Sequence, residues 1–174
     1  LTVSLVPDLR LGSYTELTSD ILAGYGVRAL LIDIDNTLAP YEQPLPDDRH
    51  REWFASLSAA GIRCALFSNN KPDRVQLFNA SLGLPAYADC GKPRRKYLRI
   101  ALEELGVAPA DAAVLGDQIF TDCLSARRMG MKAFIVPPIH DKRTLFFRFK
   151  RALEKPFIRA YDRRHGTAAH KQSK

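Results

Sequence analysis

The sequence predicts an α/β domain: a mainly parallel sheet with helices on both faces, in three layers. Three observations carry this. Leu30-Leu31-Ile32, Cys64-Ala65-Leu66-Phe67 and Ala112-Ala113-Val114-Leu115 are continuously apolar, as strands buried on both faces are. Helical stretches between and after them stop at Gly61, Gly83, Gly106 and Gly130. The apolar runs end in polar residues: Asp33 with Asp35, Ser68 with Asn69, and Asp117. In a parallel sheet all carboxyl ends share one edge, so these groups would meet in one crevice.

In chain order, residues 1–14 carry no readable period, and Pro7-Asp8 punctuates them. Residues 15–24 open with capping chemistry and predict a short helix, broken at Gly24 and Gly26. Residues 29–34 form the first strong strand. Residues 44–48 are a loop ending in N-cap chemistry, and the helix after it carries Trp53, Phe54 and Leu57 to Gly61. Residues 63–67 are the second strand and 74–82 a helix. Residues 86–88 form a weaker strand that leads into Cys90-Gly91-Lys92-Pro93. Residues 96–105 place Leu98, Ala101, Leu102 and Leu105 on one helical face. Residues 112–115 are a strand, 120–129 a helix and 132–136 the last strand, ended by Pro137-Pro138.

Length and composition bound the rest. The 174 residues suffice for one domain with a proper core. No apolar run approaches the roughly 20 residues that span a bilayer. Cys64, Cys90 and Cys123 are odd in number and widely spaced, which argues against a disulfide framework and for a reducing compartment. Cys64, inside an apolar run, reads as a small core residue. The net charge of +7 is uneven: residues 141–174 hold eleven Lys and Arg against three acids, a balance of +8, and residues 1–140 come to −1. The expected organisation is a near-neutral domain over 1–140 and a basic helix and tail over 141–174, packed on the domain or continuing it. The tail reads either as a solubilising segment or as a surface for an acidic partner.

The strand ends suit phosphate-ester chemistry. Two carboxylates one residue apart can divide labour, one attacking or binding a metal and the other moving a proton. Carboxylates from two strands can hold a hard divalent cation such as Mg²⁺. A cation and the Lys92 ammonium would offset the repulsion between an aspartate and a phosphate dianion. Ser68 can donate to a phosphoryl oxygen. No Gly-x-x-x-x-Gly-Lys-[Ser/Thr] loop and no Gly-x-Gly-x-x-Gly turn is present, which argues against nucleotide hydrolysis of the P-loop kind and against dinucleotide binding. His50, His140, His165 and His170 show no metal-ligand spacing.

The motif Asp33-Ile34-Asp35-Asn36-Thr37-Leu38 resembles the nucleophile motif of the haloacid dehalogenase (HAD) phosphatases, and in this form it is similar to the small bacterial YqeG family. Mitochondrial phosphatidylglycerophosphate phosphatases resemble the same group. The resemblance implies a Rossmann-like HAD fold and assigns roles. Asp33 would be the nucleophile and Asp35 the general acid and base, with its backbone carbonyl toward the metal. Ser68 would bind phosphate with Asn69 beside it, and Lys92 would neutralise nucleophile and phosphate. Asp117 would ligate Mg²⁺. Asp122 would orient Lys92 or a metal-bound water, with Thr37 and Gln118 in supporting positions.

Only 33 positions separate Asp35 from Ser68, and 24 separate Ser68 from Lys92, so no large cap domain fits in either gap. An open site suits a phosphate on something large. The family-implied substrate is a phospholipid head group, phosphatidylglycerophosphate, met at an anionic surface from the cytoplasm. The alternatives are a protein, nucleotide or small-metabolite phosphatase, and an RNA- or ribosome-associated binding module that uses the tail. In the tail, Leu145, Phe146, Phe149, Ala152 and Leu153 would form one helical face among Arg148, Lys150, Arg151 and Lys155, with Pro156 interrupting the helix. That face reads either as packed on the sheet or as lying on a membrane. The oligomeric state is left open.

Overall fold

Six strands form a single sheet in the order β1-β6-β5-β2-β3-β4, every pairing parallel. They are β1 (Leu9–Arg10), β2 (Ala29–Ile32), β3 (Arg63–Phe67), β4 (Ala86–Tyr87), β5 (Ala112–Gly116) and β6 (Lys132–Ile135). The computed structural model describes residues 4–140 and 145–166, without the side chains of residues 145–148, 150 and 151.

Successive side chains of a strand point to opposite faces, and the two cores follow that alternation. Leu30, Ile32, Leu66 and Phe134 join Trp53, Phe54, Leu57 and Phe78 on one face. Leu31, Phe67, Val114 and Ile135 join Leu98, Ala101 and Leu102 on the other. The first core lies under α1 (Ser19–Gly24), α2 (Asp48–Ala59) and α3 (Pro72–Asn79). The second lies under α4 (Lys96–Leu105), α5 (Leu124–Met129) and part of α6 (Leu145–His165). From β2 the chain moves outward to β3 and β4, then returns to place β5 on the other side of β2. The β2–β5 junction is therefore where the winding reverses, the place at which open α/β sheets form their crevice. Among the described residues, each crossover carries one helix and no cap domain. None of the helices among the described residues is long and apolar enough to cross a membrane.

Several elements differ from expectation. Residues 9–10 form an edge strand: Asp8 N–H donates to the Ala133 carbonyl, Ala133 N–H donates back to Asp8 Oδ2, and Arg127 pairs with that same carboxylate at 2.9 Å. The helix expected over 15–24 is a 3₁₀ turn (Tyr14–Glu16) followed by α1, whose N-cap is Thr18. The helix expected from Phe120 begins as a turn of π-helix (Ile119–Cys123). Pro156 does not interrupt α6. A proline removes the hydrogen bond to the carbonyl four residues back. That residue is Ala152, which is exposed like Pro156, so water can take the place of the donor.

Of the two readings of the α6 face, packing on the sheet does not hold at its described apolar positions. Phe149 (66 %) and Leu153 (48 %) are exposed. Phe157 and Ile158 pack on the second core, and Glu154 is buried. Leu145, Phe146, Arg148, Lys150 and Arg151 have side chains outside the described set, as does all of residues 141–144 and 167–174, His170 included. Cys64, Cys90 and Cys123 are buried free thiols, and Cys64 is a core residue as expected.

Candidate active site

The Asp33 N–H extends the β2 ladder by donating to the Leu115 carbonyl at 2.9 Å. Beyond Ile34 the chain turns sharply: Leu38 and Ala39 N–H both return to the Ile34 carbonyl, and Asn36 takes φ +66°. Asn tolerates this left-handed conformation better than most residues. The turn puts Asp33 and Asp35 at one mouth. His50 braces it from behind. Its Nε2 lies 2.9 Å from the Leu38 carbonyl, which only accepts, so this nitrogen donates there. Its Nδ1 closes a capping box with Asp47 at the start of α2. His50 is thus a structural residue.

Lys92 stands at the centre. Its ammonium lies 2.8 Å from Asp33 Oδ1 and 2.8 Å from Asp122 Oδ1, and 4.7 Å from the centroid of the Phe67 ring. Its backbone N–H donates to Asn69 Oδ1 at 2.7 Å, which fixes the loop after β4 against the tip of β3. Asp122 also accepts from Gln118 N–H at 3.1 Å. The turn after β5 can fold this tightly because residue 116 is glycine: a Cβ there would lie 2.2 Å from Asp122 Cγ. Ser68 is buried at the end of β3, and its Oγ accepts from Asn70 N–H at 3.0 Å.

Asp33, Asp117 and Asp122 each offer a carboxylate oxygen, all within 4.8 Å of one another, and all three residues are buried. Burial pushes the Asp33 carboxyl up to about 8; Lys92 opposes that shift, and Asp122 and Asp117 reinforce it. Burial alone would lower the Lys92 ammonium, but Asp122 and Asp33 outweigh it and hold the group above its ordinary value. The Lys92 ammonium by itself balances one of these three buried carboxylates. Three carboxylate oxygens this close together are a donor set that fits a hard divalent cation.

Of the residues expected at the site, Asp33, Asp35, Ser68, Asn69, Lys92 and Gln118 line one cavity of about 260 Å³. Asp117 and Asp122 are packed at its base beside Asp33. Thr37 faces a neighbouring cavity instead, with a buried Oγ1 that meets no hydrogen-bond partner among the described residues. The Asp35 carboxylate lies outside the acidic cluster. Its Oδ1 accepts from Arg74 Nη2 and Nε at 3.0 and 3.2 Å, and its Oδ2 accepts from Asn70 Nδ2 at 2.9 Å. Arg74, Asn70, Tyr41 and Thr121 were not among the residues expected at the site. Tyr41 and Thr121 line the cavity, and burial near Asp35 and Asp33 pushes the Tyr41 hydroxyl up to about 12. One signal for Arg74 was available: the first turn of a helix that follows a strand tip faces the crevice.

The HAD-hydrolase-like family model matches residues 89–138, the stretch from the lysine loop to the end of β6. The chain is 31 % identical over 159 residues to the probable phosphatase YqeG of Bacillus subtilis, covering 91 % of this chain and 92 % of that one. It is 33 % identical over 90 residues to a phosphoserine phosphatase of Thermus thermophilus, covering 47 % of this chain and 36 % of the relative. Among solved structures, the cobalt-bound deoxy-D-mannose-octulosonate 8-phosphate phosphatase of Haemophilus influenzae aligns with a TM-score of 0.55 at 14 % identity. It covers 79 % of this chain and 90 % of that one, a likeness of fold.

Proposed function

The chain belongs to the YqeG family of HAD-like phosphatases, and from that membership we propose that it hydrolyses phosphomonoesters with Mg²⁺, through an aspartyl-phosphate on Asp33. The observation that carries the reading is Lys92 set between Asp33 and Asp122, with Asp117 alongside. Asp33 Oδ attacks phosphorus while the ester P–O bond breaks, and Asp35 gives a proton to the departing oxygen, releasing an alcohol. A water then attacks the phosphoryl group. Asp35 takes its proton, the bond to Asp33 breaks, and phosphate leaves with both carboxyls restored. Lys92 and Ser68 hold the phosphoryl oxygens, with Asn69 fixing the lysine loop. Asp33, Asp117 and the Asp35 backbone carbonyl would hold the cation, with Asp122 steering Lys92. The cation would supply charge neutralisation for the phosphoryl group.

For the substrate, we favour a phosphate on a lipid head group, as the family resemblance implies. Two features support it: the capless site, and the exposed Phe149 and Leu153 on a helix that also exposes Lys155 and Arg159. A second reading, a small phosphorylated metabolite, is favoured by the cavity of about 260 Å³, which suits a compact group. The test is phosphate release by the purified protein with Mg²⁺. The panel is a phosphatidylglycerophosphate in anionic vesicles beside sugar, nucleotide, glycerol and peptide phosphates. Preference for the vesicle substrate is expected. Turnover confined to soluble metabolites overturns the lipid reading, and no phosphate release from any ester overturns the mechanism.

A further inference from the structure

Asp35 is held from two sides by donors on α3 and the loop before it. Arg74 directs both Nε and Nη2 at Oδ1, and Asn70 Nδ2 donates to Oδ2. The clamp is itself braced. Arg74 Nη1 donates to the Pro44 carbonyl at 3.1 Å, and its guanidinium lies 5.2 Å from the centroid of the Phe78 ring. Asn70 Oδ1 accepts from Lys71 N–H at 2.8 Å, which orients the amide so that its NH₂ faces Asp35. Both side chains of the ion pair are withdrawn from water, 13 % exposed for Arg74 and 6 % for Asp35. An exposed surface pair would be weak; this one is bidentate at the arginine, shielded and tied to the loop at Pro44.

The two oxygens of Asp35 are not equivalent. Arg74 directs two N–H groups of a cation at Oδ1, which holds the negative charge there, whereas Oδ2 accepts one N–H, from the neutral amide of Asn70. A proton bound for a substrate oxygen therefore has room on Oδ2. We propose that Arg74 is a positioning residue for proton transfer: it holds Oδ1 as the charged oxygen, and with Asn70 it turns Oδ2 toward the cavity as the atom that delivers and later takes the proton. The proposal rests on the reading of Asp35 as general acid. Because Arg74 also grips the Pro44 carbonyl, the same side chain fixes the 40–47 loop, which brings Tyr41 to the rim.

The test exploits the leaving group. An aryl ester such as p-nitrophenyl phosphate departs without needing a proton, whereas an alkyl ester such as glycerol phosphate needs one. kcat/KM for both, with Mg²⁺ present, reports the first chemical step. General acid catalysis is worth about 10²–10⁴-fold, so Arg74→Met should lose at least about tenfold more on the alkyl than on the aryl ester. Arg74→Lys, which keeps a cation without the fork, should recover part of that difference. Melting curves establish that each variant is folded; if Arg74→Met is not, the ratio is read from Arg74→Lys. Equal losses on the two esters in a folded Arg74 variant overturn the proposal. Asp35→Asn is the reference. If it shows no preference for the aryl ester, the acid role of Asp35 falls with everything built on it. If it shows the preference and the Arg74 variants do not, only the role of Arg74 falls.

Discussion

The Asp122 carboxylate stands 2.8 Å from the Lys92 ammonium, and both side chains are closed off from solvent. Neither group is there cheaply, because a buried charge needs its partner. Removing one member of such a pair typically costs about 3–5 kcal/mol. Lys92→Met should therefore lower the melting temperature in chelator sharply, leaving three carboxylates with no ammonium among them. Added Mg²⁺ should recover part of the loss. A melting curve that overlays the parent's would refute the charge argument.

Asp33→Asn should behave in the opposite way toward stability. The amide is nearly isosteric and removes one of three crowded carboxylates, so the melting temperature in chelator should hold or rise. Turnover should vanish, because an amide does not attack phosphorus. Phosphate release near the parent rate would place the nucleophile elsewhere.

Metal dependence has a signature apart from activity. Chelator should abolish turnover and Mg²⁺ restore it. Mg²⁺ at a hundredfold excess over its Kd should stabilise the fold by about 2.7 kcal/mol. Asp117→Ala should blunt the thermal shift as well as the turnover. Full turnover in chelator would remove the cation from the mechanism.

Gly116→Ala tests the tight turn below the site. The new Cβ would sit 2.2 Å from Asp122 Cγ, so Asp122 must move and Lys92 must lose one of its two anions. Overpacking of this kind costs about 1–3 kcal/mol, and turnover should fall with it. Calorimetry beside phosphate release reads both, and a variant that keeps the parent's stability and rate would contradict the packing described.

The sheet and the positions of Asp33, Ser68, Lys92 and Asp117 were legible because buried parallel strands are continuous apolar runs with polar tips. Other features depend on contacts that no local pattern encodes. Residues 9–10 become a strand only because Asp8 and Leu11 find β6. Periodicity marked apolar positions along α6 but could not say which side meets the domain, and Phe157 and Ile158 pack while Phe149 does not. Arg74 reads in sequence as an ordinary helix residue; its role depends on α3 starting beside the Asp35 turn.

Glu154 gives α6 a stake in the site. Its buried carboxylate accepts from Ile119 N–H at 2.9 Å, one residue past Gln118. Composition changes character near residue 141, and a protease map or an expression boundary drawn from charge alone would cut there. Such a cut would strip the acceptor from a buried amide at the start of the π turn that carries Asp122, a desolvation cost of about 1–3 kcal/mol placed beneath the lysine. The helix thus has two sides with different tolerances. Its solvent face can change at positions 149, 152 and 153 without disturbing the fold, whereas positions 154, 157 and 158 are as much part of the phosphatase as the strands are.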